Sequence, residues 1–557
     1  HQKGLTFIEL IQNLDRSKIY CRNLYWILDR LKIFKNFYTF NSIWCNYYYF
    51  LISVHFNKMD RSKLVINPEM IQQISPCVYE IPIGFVPNMK VPGRFFATPE
   101  MAEYSFQELR EWMENRNKGL PSILQIAFVA TLDGIVKGSY GMPDMHSGYG
   151  FSIGGVAAFD TSDPQAIISP GGVGYDINCG VRCVTTNLTI DEVLPHKKEL
   201  VQALYDNIPV GVGGKRKDFI KMEDLDDILS KGATWALEHG YAVEEDILNC
   251  EENGKISYAD PSLISQRAKE RGLDQLGTLG SGNHYVEIQV VDQIFNQEIA
   301  DIMGVHKDQV VLMIHTGSRG LGYQVADDVM KQMNTDKNPK LYDNQLNSPA
   351  FNSELGQQYL HQMGAAANYA WCNRQIITHF ARKAFNQVFE GKKEIEMHLI
   401  YDVAHNIAKI EKHVINGVEK QLIVHRKGAT RAFGPGREEI PEKYRKVGQP
   451  VLIGGSLGTA SYILAGTSES MDLAFGSTCH GAGRLLSRQK ALRNLNEQTI
   501  KNDLESKGIE FKAATKGTII EEAPEAYKDV EKVVEACQTV GASSKVVRLI
   551  PIGVIKG

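Results

Sequence analysis

The stretch from residue 310 to 320, VVLMIHTGSRG, joins five apolar residues to a polar, glycine-containing segment that begins at His315. A continuous apolar run of this length, ended by turn residues, is typical of a strand buried on both faces. A second such run, Met397–Val403, is followed closely by His405. A side chain just beyond a buried strand is held rigidly and still faces a cleft. We therefore expect His315 and His405 to lie in a functional site.

Strands and helices alternate irregularly from residue 59 onward. Apolar runs bounded by glycine or polar residues predict further strands at Ile123–Val129, Ile153–Phe159, Val181–Thr186 and Val286–Val291. Apolar residues at helical spacing predict one long helix from Ser353 to Phe389. Because no internal repeat or low-complexity linker interrupts residues 59–557, we predict one large α+β catalytic unit with mixed strands and helices around a central cleft.

Amino-acid composition, net charge and cysteine spacing limit the classes of protein to which this chain can belong. The 557 residues are 43% hydrophobic and 23% charged, with a net charge of −4, which is ordinary for a globular protein. This charge excludes a uniformly basic nucleic-acid-binding protein but not a local basic groove. The nine cysteines are scattered without a CxxC pair, which favours a reducing compartment.

Residues 1–58 differ from the rest of the chain. They contain eight Lys and Arg against three Asp and Glu, a net charge of +5, and they are poor in Gly, Pro and Ala. The aromatic run at residues 47–52 is far shorter than the roughly 20 apolar residues that a membrane span needs. We consider three interpretations: an organelle-targeting extension, a solvated or partner-binding tail, and an artefact of gene modelling.

Metal-binding side chains lie beside glycines in separate segments. Asp176 and Cys179 follow the glycine-rich segment 169–175, and His284 follows the glycine loop 276–283. Together with His315 and His405 they offer a carboxylate, a thiolate and three imidazoles. This set suffices for two metal ions with a bridging thiolate, an arrangement suited to phosphoryl transfer.

Simpler explanations of these residues stay open. Any one of the histidines is readily explained as a structural residue, and the segment from Asp176 to Cys179 as a turn with a buried thiol. Ligand softness alone favours zinc or cobalt over manganese, so the residues do not identify the metal.

His480 lies in a separate glycine-rich loop, GSTCHGAGR, at residues 476–484. The glycines expose its imidazole, which can act as a covalent nucleophile toward phosphorus, and Arg484 can pair with a phosphate. Cys479 is the alternative nucleophile. The segment 454–461 offers backbone N–H and hydroxyl donors for a phosphate or purine. The basic segment 425–431, which begins at His425, is either a solvated surface loop or a clamp for RNA phosphates.

Some common motifs are missing from the sequence. Residues 211–216 lack the spacing and hydroxyl of a phosphate-binding GxxxxGK[ST] loop. The chain also has no HExxH motif and no KxDG-type lysine motif of the ordinary nucleotidyl-transferring ligases.

Taken together, these segments resemble the RtcB family of GTP-dependent tRNA-splicing RNA ligases. The resemblance covers essentially residues 59–557, and residues 1–58 match nothing in the family. The segments at 448–453 and 554–557 are similar to the eukaryotic and archaeal branch. The stretches that carry the resemblance are 141–148, 169–180, 276–287, 315–322, 402–406, 425–433, 454–461, 478–484 and 551–557.

The resemblance implies a role for each matching residue. Two Mn²⁺ ions would be held by Asp176, Cys179, His284, His315 and His405, with Cys179 touching both, and His480 would become linked to GMP. Contacts to GTP or GMP would come from Asn283, Glu287, Asn406, Ser456, Ser461, Ala482, Gly483, Arg484, Tyr527 and Lys556. RNA phosphates would be bound by Arg319, Arg426 and Arg431.

The resemblance also implies a reaction. An RNA end with a 2′,3′-cyclic phosphate or 3′-phosphate would be activated by GMP from His480 and joined to a 5′-hydroxyl end, as in tRNA exon ligation. The chain would be the catalytic subunit of a tRNA-splicing ligase complex in the cytoplasm or nucleus, with cleaved tRNA halves as substrates. Its other expected partners are an archease-type activator and further subunits of the ligase complex. No association with a membrane is expected. The rival classes are a metal-dependent cyclic phosphodiesterase and an RNA-binding scaffold, neither of which requires His480.

Overall fold

The computed structural model describes residues 61–333, 338 and 340–557, so the predicted extension at residues 1–58 lies outside the described part. Within that part the fold is mixed α/β. Its strands, in chain order, are β1 (Gln72–Ser75), β2 (Val78–Ile81), β3 (Gly93–Phe96), β4 (Ile135–His146), β5 (Ile153–Asp160), β6 (Gly180–Thr189), β7 (Tyr285–Ile294), β8 (Gln309–Thr316), β9 (Met397–Ala404), β10 (Asn406–Ile415), β11 (Val418–Lys427), β12 (Ala429–Arg431), β13 (Pro450–Ile453), β14 (Ser461–Gly466), β15 (Ser477–Cys479), β16 (Glu510–Ala513) and β17 (Ser543–Lys556).

Helices connect and cover these strands. The longer α-helices are Pro99–Glu114, Ser122–Val129, Lys197–Asn207, Met222–Lys231, Gln266–Leu273, Arg319–Met333, Glu354–Phe389, Glu497–Ser506 and Val530–Thr539. The shorter ones are Ile190–Val193, Ala233–Glu238, Glu244–Leu248, Gln297–Met303, Ser468–Ala474, Arg488–Asn494 and Lys516–Glu521. Across the described residues, no helix is long and apolar enough to cross a membrane.

The larger sheet has the strand order β13-β14-β17-β7-β8-β6-β9, with β16 paired to β17. The neighbours β7, β8, β6 and β9 are antiparallel to one another. Antiparallel pairing places the beginnings of β7 and β6 at the same edge as the ends of β8 and β9. His284, Cys179, His315 and His405 occur at or next to these four strand ends, so chain direction alone brings them to one edge.

Strand β8 is apolar throughout because it is covered on both faces. Leu312 and Ile314 belong to the core cluster that also contains Ile377 and Phe385 of the long helix. Val311 and Met313, the alternate residues, belong to the core on the opposite face. Alternation of side chains along a strand explains why every position from 310 to 314 is apolar. The predicted strand is therefore confirmed, as is the second predicted apolar strand, Met397–Val403, which lies within β9.

The predicted long helix is also confirmed, at Glu354–Phe389. Ser353 is its N-cap, and the hydroxyl of Ser353 accepts a hydrogen bond from the backbone N–H of Gly356 at 3.1 Å. This helix packs across the larger sheet and contributes Arg374, fully buried behind the strand ends, to the network described below.

A second sheet has the strand order β1-β2-β3-β4-β5-β11-β10. Its strand β4 carries Asp144, and β11 leads through β12 to the short pairing of β12 with β15. Since β15 ends at Cys479, this pairing helps to place the following residue, His480, close to β4. The second sheet thus supplies the side of the site that faces the metal-binding edge.

One predicted strand is wrong. Residues Ile123–Val129 lie in the helix Ser122–Val129, in which every residue is buried. A short run that is apolar at every position does not distinguish a buried strand from a buried helix. Pro121 occupies the N-cap position, where its fixed φ suits a helix start. The other predicted strands are confirmed as parts of β5, β6 and β7.

Candidate metal centre and nucleophile site

Five predicted metal ligands converge at the edge of the larger sheet. They form two groups of three, Asp176 with Cys179 and His284, and Cys179 with His315 and His405. In each group the ligand atoms lie within 4.8 Å of one another. Cys179 belongs to both groups, which is the arrangement that a thiolate bridging two ions requires.

The interatomic distances show how tightly the groups join. Cys179 Sγ lies 3.4 Å from His284 Nε2 and 3.3 Å from His315 Nε2. His315 Nε2 is 3.2 Å from His405 Nε2, and His284 Nε2 is 3.0 Å from Asp176 Oδ2. The ligand atoms therefore form a continuous chain from Asp176 through His284, Cys179 and His315 to His405, with Cys179 common to the two groups of three.

The electrostatics of these groups fit a cation. Burial holds the pKa of His315 and of His405 well below the usual range, so both imidazoles are neutral and keep a lone pair for a metal. Burial and the Asp176 carboxylate raise the pKa of the Cys179 thiol well above its usual value. A divalent ion reverses this effect because it stabilises the coordinating thiolate. The donor set therefore fits a pair of divalent metal ions.

The turn from Asp176 to Cys179 has an unusual backbone that positions both ligands. Asn178 has a left-handed φ of 55°, and the side-chain amide of Asn178 donates to the carbonyl of Ala367 at 2.7 Å. Burial acts to raise the pKa of Asp176, but the hydrogen bond and charge of His284, the hydrogen bond of Cys179 and the charge of Arg319 together outweigh it, and the pKa is lowered. The backbone N–H of Ser318 also donates to Asp176 Oδ1 at 3.0 Å.

His480 lies beside the metal-ligand cluster. Its ring is 4.7 Å from that of His405, centroid to centroid. Asp144 Oδ2 accepts hydrogen bonds from His480 Nδ1 at 2.6 Å, from the His480 backbone N–H at 2.9 Å and from the Gly481 N–H at 3.2 Å. In the tautomer that donates from Nδ1 to Asp144, the Nε2 lone pair is available for a nucleophilic attack.

Asp144 is a functional residue that the sequence argument quoted but gave no role. It is fully buried on β4, 336 residues before its partner His480. No local spacing links the two positions, and a carboxylate inside the segment GMPDMHSG could equally be structural. A buried aspartate that accepts three hydrogen bonds from one loop fixes both the orientation and the tautomer of the histidine.

A cleft of about 820 Å³ unites the two halves of the site. Among the predicted residues its walls include Asp176, Cys179, Asn283, His315, His405, Asn406, His480, Ala482, Gly483, Arg484, Tyr527 and Lys556. Ser456 lines a neighbouring cavity of about 770 Å³ that shares Tyr527 with the cleft. The cleft thus brings candidate metal ligands, His480 and the basic side chains of Arg484 and Lys556 into one cavity.

Residues 125–557 match the family model described as tRNA-splicing ligase RtcB. The chain belongs to the RtcB family. This match is shorter than the span of residues 59–557 expected from the sequence, but it contains every predicted metal, nucleotide and RNA-binding residue. RtcB proteins are metal-dependent RNA ligases of tRNA splicing, and the cluster around Cys179 accords with that metal dependence.

Five of the ten residues that the RtcB resemblance assigns to the nucleotide lie in two networks of polar contacts. Gln289 Nε2 donates to Glu287 Oε2 at 2.7 Å and to Ser461 Oγ at 3.0 Å. Burial raises the pKa of Glu287 to about 7, although Lys556 lowers it in part. Gln289 is thus a supporting residue that the sequence argument missed.

The second network joins basic and phenolic groups at the cleft wall. Arg484 Nη1 donates to Tyr527 Oη at 2.7 Å and to Glu522 Oε1 at 3.2 Å. Lys556 Nζ lies 3.8 Å from Glu522 Oε2. Glu522, which the sequence argument also missed, is buried and holds three predicted nucleotide contacts in place. A nucleotide phosphate entering the cleft would meet this cationic wall.

Two of the three arginines predicted to bind RNA lie elsewhere. Arg426 forms a buried ion pair with Glu411, and Arg431 forms one with Glu251 and Glu252. Their side chains are only 1% and 2% exposed. These buried ion pairs stabilise the fold, so the interpretation of this segment as a solvated surface loop is wrong, while RNA binding by the two arginines stays a prediction.

The correction extends to the start of the basic segment. His425 is fully buried at the end of β11, where its Nε2 accepts a hydrogen bond from the Ser169 N–H at 2.8 Å. The segment 425–431 is therefore not a surface loop, and its role as a clamp for RNA phosphates stays a prediction. Arg319 differs, since it is partly exposed in the glycine-loop region, with Nε donating to Thr278 Oγ1 at 3.1 Å and Nη2 to the Gly211 carbonyl at 3.2 Å.

Proposed function

We propose that this RtcB-family protein joins an RNA end bearing a 2′,3′-cyclic phosphate or 3′-phosphate to a 5′-hydroxyl end, with GTP as co-substrate and His480 as the covalent carrier of GMP. The observation that carries the proposal is the hydrogen bond of Asp144 to His480 Nδ1 beside the shared-cysteine ligand cluster. A purely hydrolytic enzyme needs the metal ligands but not an oriented histidine in the same cleft.

The protein side of the reaction follows from this geometry. His480 Nε2 attacks the α-phosphorus of GTP, an N–P bond forms, and pyrophosphate leaves. Asp144 holds the proton on Nδ1 and stabilises the positive charge that develops on the ring as the bond forms. Arg484 and Lys556 offer positive charge in the same cleft.

The RNA steps use the same histidine. Water opens the cyclic phosphate to a 3′-phosphate, whose oxygen attacks the phosphorus of GMP-His480 and releases the imidazole. The 5′-hydroxyl of the second RNA then attacks the activated 3′-phosphate, forms the new phosphodiester and expels GMP. Dividing one hard substitution into such steps is the usual gain of covalent catalysis.

Asp176, Cys179, His284, His315 and His405 would hold two Mn²⁺ ions. When bound, such ions neutralise charge on the transferring phosphates. Asn283, Asn406, Ala482 and Gly483 lie on the wall of the same cleft or border it, close enough to meet a phosphate. Glu287, Ser456, Ser461 and Tyr527 would recognise guanine and ribose, and Arg319 would bind an RNA phosphate.

In the cell we propose tRNA exon ligation in the cytoplasm or nucleus, with ligase-complex subunits and an archease-type activator as partners. Family membership supports RNA as the substrate, whereas the partners and the compartment are part of the proposal.

The decisive test uses GTP labelled at the α-phosphate, Mn²⁺ and denaturing electrophoresis. The wild-type chain should acquire a label that is labile in acid and stable in alkali, as a phosphoramidate is. His480→Ala should abolish the label, whereas the matched control Cys479→Ala, one residue away and fully buried, should keep it. Label retained by His480→Ala would disprove the assignment.

End polarity tests the joining step separately. A labelled 3′-phosphate should appear inside the product when the partner RNA begins with a 5′-hydroxyl. An RNA pair with a 3′-hydroxyl and a 5′-phosphate should stay unjoined. Joining that requires the 5′-phosphate, or that accepts ATP equally well, would assign the chain to a different ligation mechanism.

A further inference from the structure

A row of aromatic side chains starts at the rim of the cleft. The ring centroids of Tyr149 and Tyr175 are 5.6 Å apart at an interplanar angle of 70°. The rings of Tyr175 and Tyr323 are stacked at 4.8 Å and 22°. The guanidinium carbon of Arg271 lies 5.1 Å from the centroid of the Tyr323 ring. We call these four residues the tyrosine row.

The row leads from the cleft toward the surface. Tyr175 directly precedes the metal ligand Asp176, and Tyr149 lies two residues after Ser147, which lines the cleft. Tyr323 lies in the first turns of the helix Arg319–Met333, and it is 45% exposed. Tyr175 is therefore next in sequence to a candidate metal ligand, and the Tyr323 end of the row faces solvent.

The exposed end of the row is both planar and cationic. Arg271 is exposed, and its Nη1 donates to Gln324 Oε1 at 2.9 Å, which holds the guanidinium near the ring. The nearest acid along the helix, Asp327, is paired with Lys331 at 2.7 Å. Unstacked RNA bases bind to tyrosine rings and to arginine planes, and arginine also pairs with phosphate.

We propose that the exposed end of the tyrosine row, Tyr323 with Arg271, stacks an unpaired base of the RNA whose end enters the cleft. This inference rests on the proposed function, since it takes RNA as the substrate. An RNA end must be single-stranded for its terminal phosphate to reach a buried cluster of ligands, so its last bases are free to stack. The ring of Tyr323 that such a base would contact is stacked on Tyr175, the residue before the candidate metal ligand Asp176.

The test measures the binding of two single-stranded, fluorescently labelled RNAs by anisotropy, one ending in a 3′-phosphate and one beginning with a 5′-hydroxyl. Tyr323→Ala and Arg271→Ala should each weaken the binding of one of them by roughly 5- to 150-fold, the range for loss of one stacked base, about 1–3 kcal/mol. The RNA that responds identifies which end lies on the row. Arg271→Lys keeps the charge but loses the plane, and should recover only part of the affinity.

Phe295→Ala is the matched control. Phe295 is 41% exposed, stacks on Tyr462 at 6.4 Å and lies 5.5 Å from Lys545 Nζ, so it repeats the chemistry of the row. Phe295 directly follows the last residue of β7, whereas His284 directly precedes the first residue of β7. The two residues therefore lie at opposite ends of this strand. Removal of the Phe295 ring should leave the binding of both RNAs unchanged.

An abasic scan of the responsive RNA makes the test specific. One abasic position near the end should weaken binding to the wild-type chain but not to Tyr323→Ala, because the base and the ring have lost the same contact. The proposal would be overturned if Tyr323→Ala and Arg271→Ala both bind the two RNAs with unchanged affinity. It would also be overturned if the abasic position weakens binding to Tyr323→Ala as much as it weakens binding to the wild-type chain. Guanylylation of the wild-type chain without RNA tests the proposed function independently, so the two failures are distinguishable.

Discussion

Replacing Asp144 tests how the nucleophile is prepared. Asp144 Oδ2 accepts all three hydrogen bonds from the His480 loop, whereas Oδ1 is buried without a hydrogen-bond partner. In Asp144→Ala the His480 ring loses the group that fixes its orientation and its tautomer. Loss of one charge-assisted hydrogen bond costs about 1.5–3 kcal/mol, and loosening of the loop adds to this. We expect His480 to be guanylylated roughly 10²- to 10⁴-fold more slowly.

Asp144→Asn should have a smaller effect. The amide oxygen can take the position of Oδ2 and keep all three hydrogen bonds, and the NH₂ group then replaces the unpartnered Oδ1. The bonds become neutral and weaker by about half, which corresponds to a loss of about 1–2 kcal/mol and a rate roughly 5- to 30-fold lower. The order wild type, Asn, Ala is therefore part of the prediction.

The assay is single-turnover transfer from α-labelled GTP at saturating nucleotide, quenched at intervals in alkali. Asp160→Ala is the matched control, because Asp160 is also a nearly buried, hydrogen-bonded aspartate, on the neighbouring strand β5 and away from His480. Thermal unfolding shows whether each variant is folded. A folded Asp144→Ala that guanylylates within threefold of the wild-type rate would refute the positioning role.

Four further outcomes are expected. Mn²⁺ at about 100 times its Kd should stabilise the wild-type chain against unfolding by about 2.7 kcal/mol, and Cys179→Ala should lose most of this gain because both ligand groups share that sulfur; equal stabilisation would show that the ligand set is wrong. GTP affinity should rise as pH increases through about 7, where Glu287 ionises and can accept hydrogen bonds from guanine, and a titration with Glu287→Gln should be flat over that range. Arg426→Met should lower the free energy of unfolding by about 3–5 kcal/mol in urea titrations, because it leaves the Glu411 carboxylate buried without its main partner. Deleting residues 1–58 should leave guanylylation intact, because the family match begins at residue 125; loss of soluble protein would argue against a dispensable extension.

The strand ends of the larger sheet were predictable from local pattern. The apolar run before His315 predicts a buried strand. A polar residue at the end of a buried strand is expected to face a cleft, where its polar atoms can be solvated or bind a ligand. The same reasoning held for His405. Antiparallel order then brings both to the edge that Cys179 and His284 reach from the opposite chain direction. The hydrophobic pattern of each strand, together with the antiparallel strand order, therefore accounts for most of the placement of the candidate metal ligands.

Partners that come from distant segments were not predictable in this way. Arg426 lies in a segment whose sequence is typical of a charged loop. In the structure the carboxylate of Glu411, on the paired strand β10, neutralises the buried Arg426 side chain. Glu251 and Glu252 reach Arg431 from about 180 residues away. A charge pattern in one segment says nothing about a counter-charge in another, so solvated and buried arginines look alike in sequence.

The helix behind the sheet explains why the ligand cluster is rigid. Arg374 Nη1 donates to the carbonyls of Asn178 at 2.8 Å and Thr316 at 2.9 Å, the residues next to Cys179 and His315. Its Nε and Nη2 bind both carboxylate oxygens of Asp402 at 2.9 Å, three residues before His405. One guanidinium thus ties together three strands that each carry a ligand, and all of its partners are buried. Lysine offers a single point of charge and cannot satisfy this planar set. The buried ion pair therefore sets the spacing of the metal ligands, and the long helix is part of the functional site although no residue of it lines the cleft.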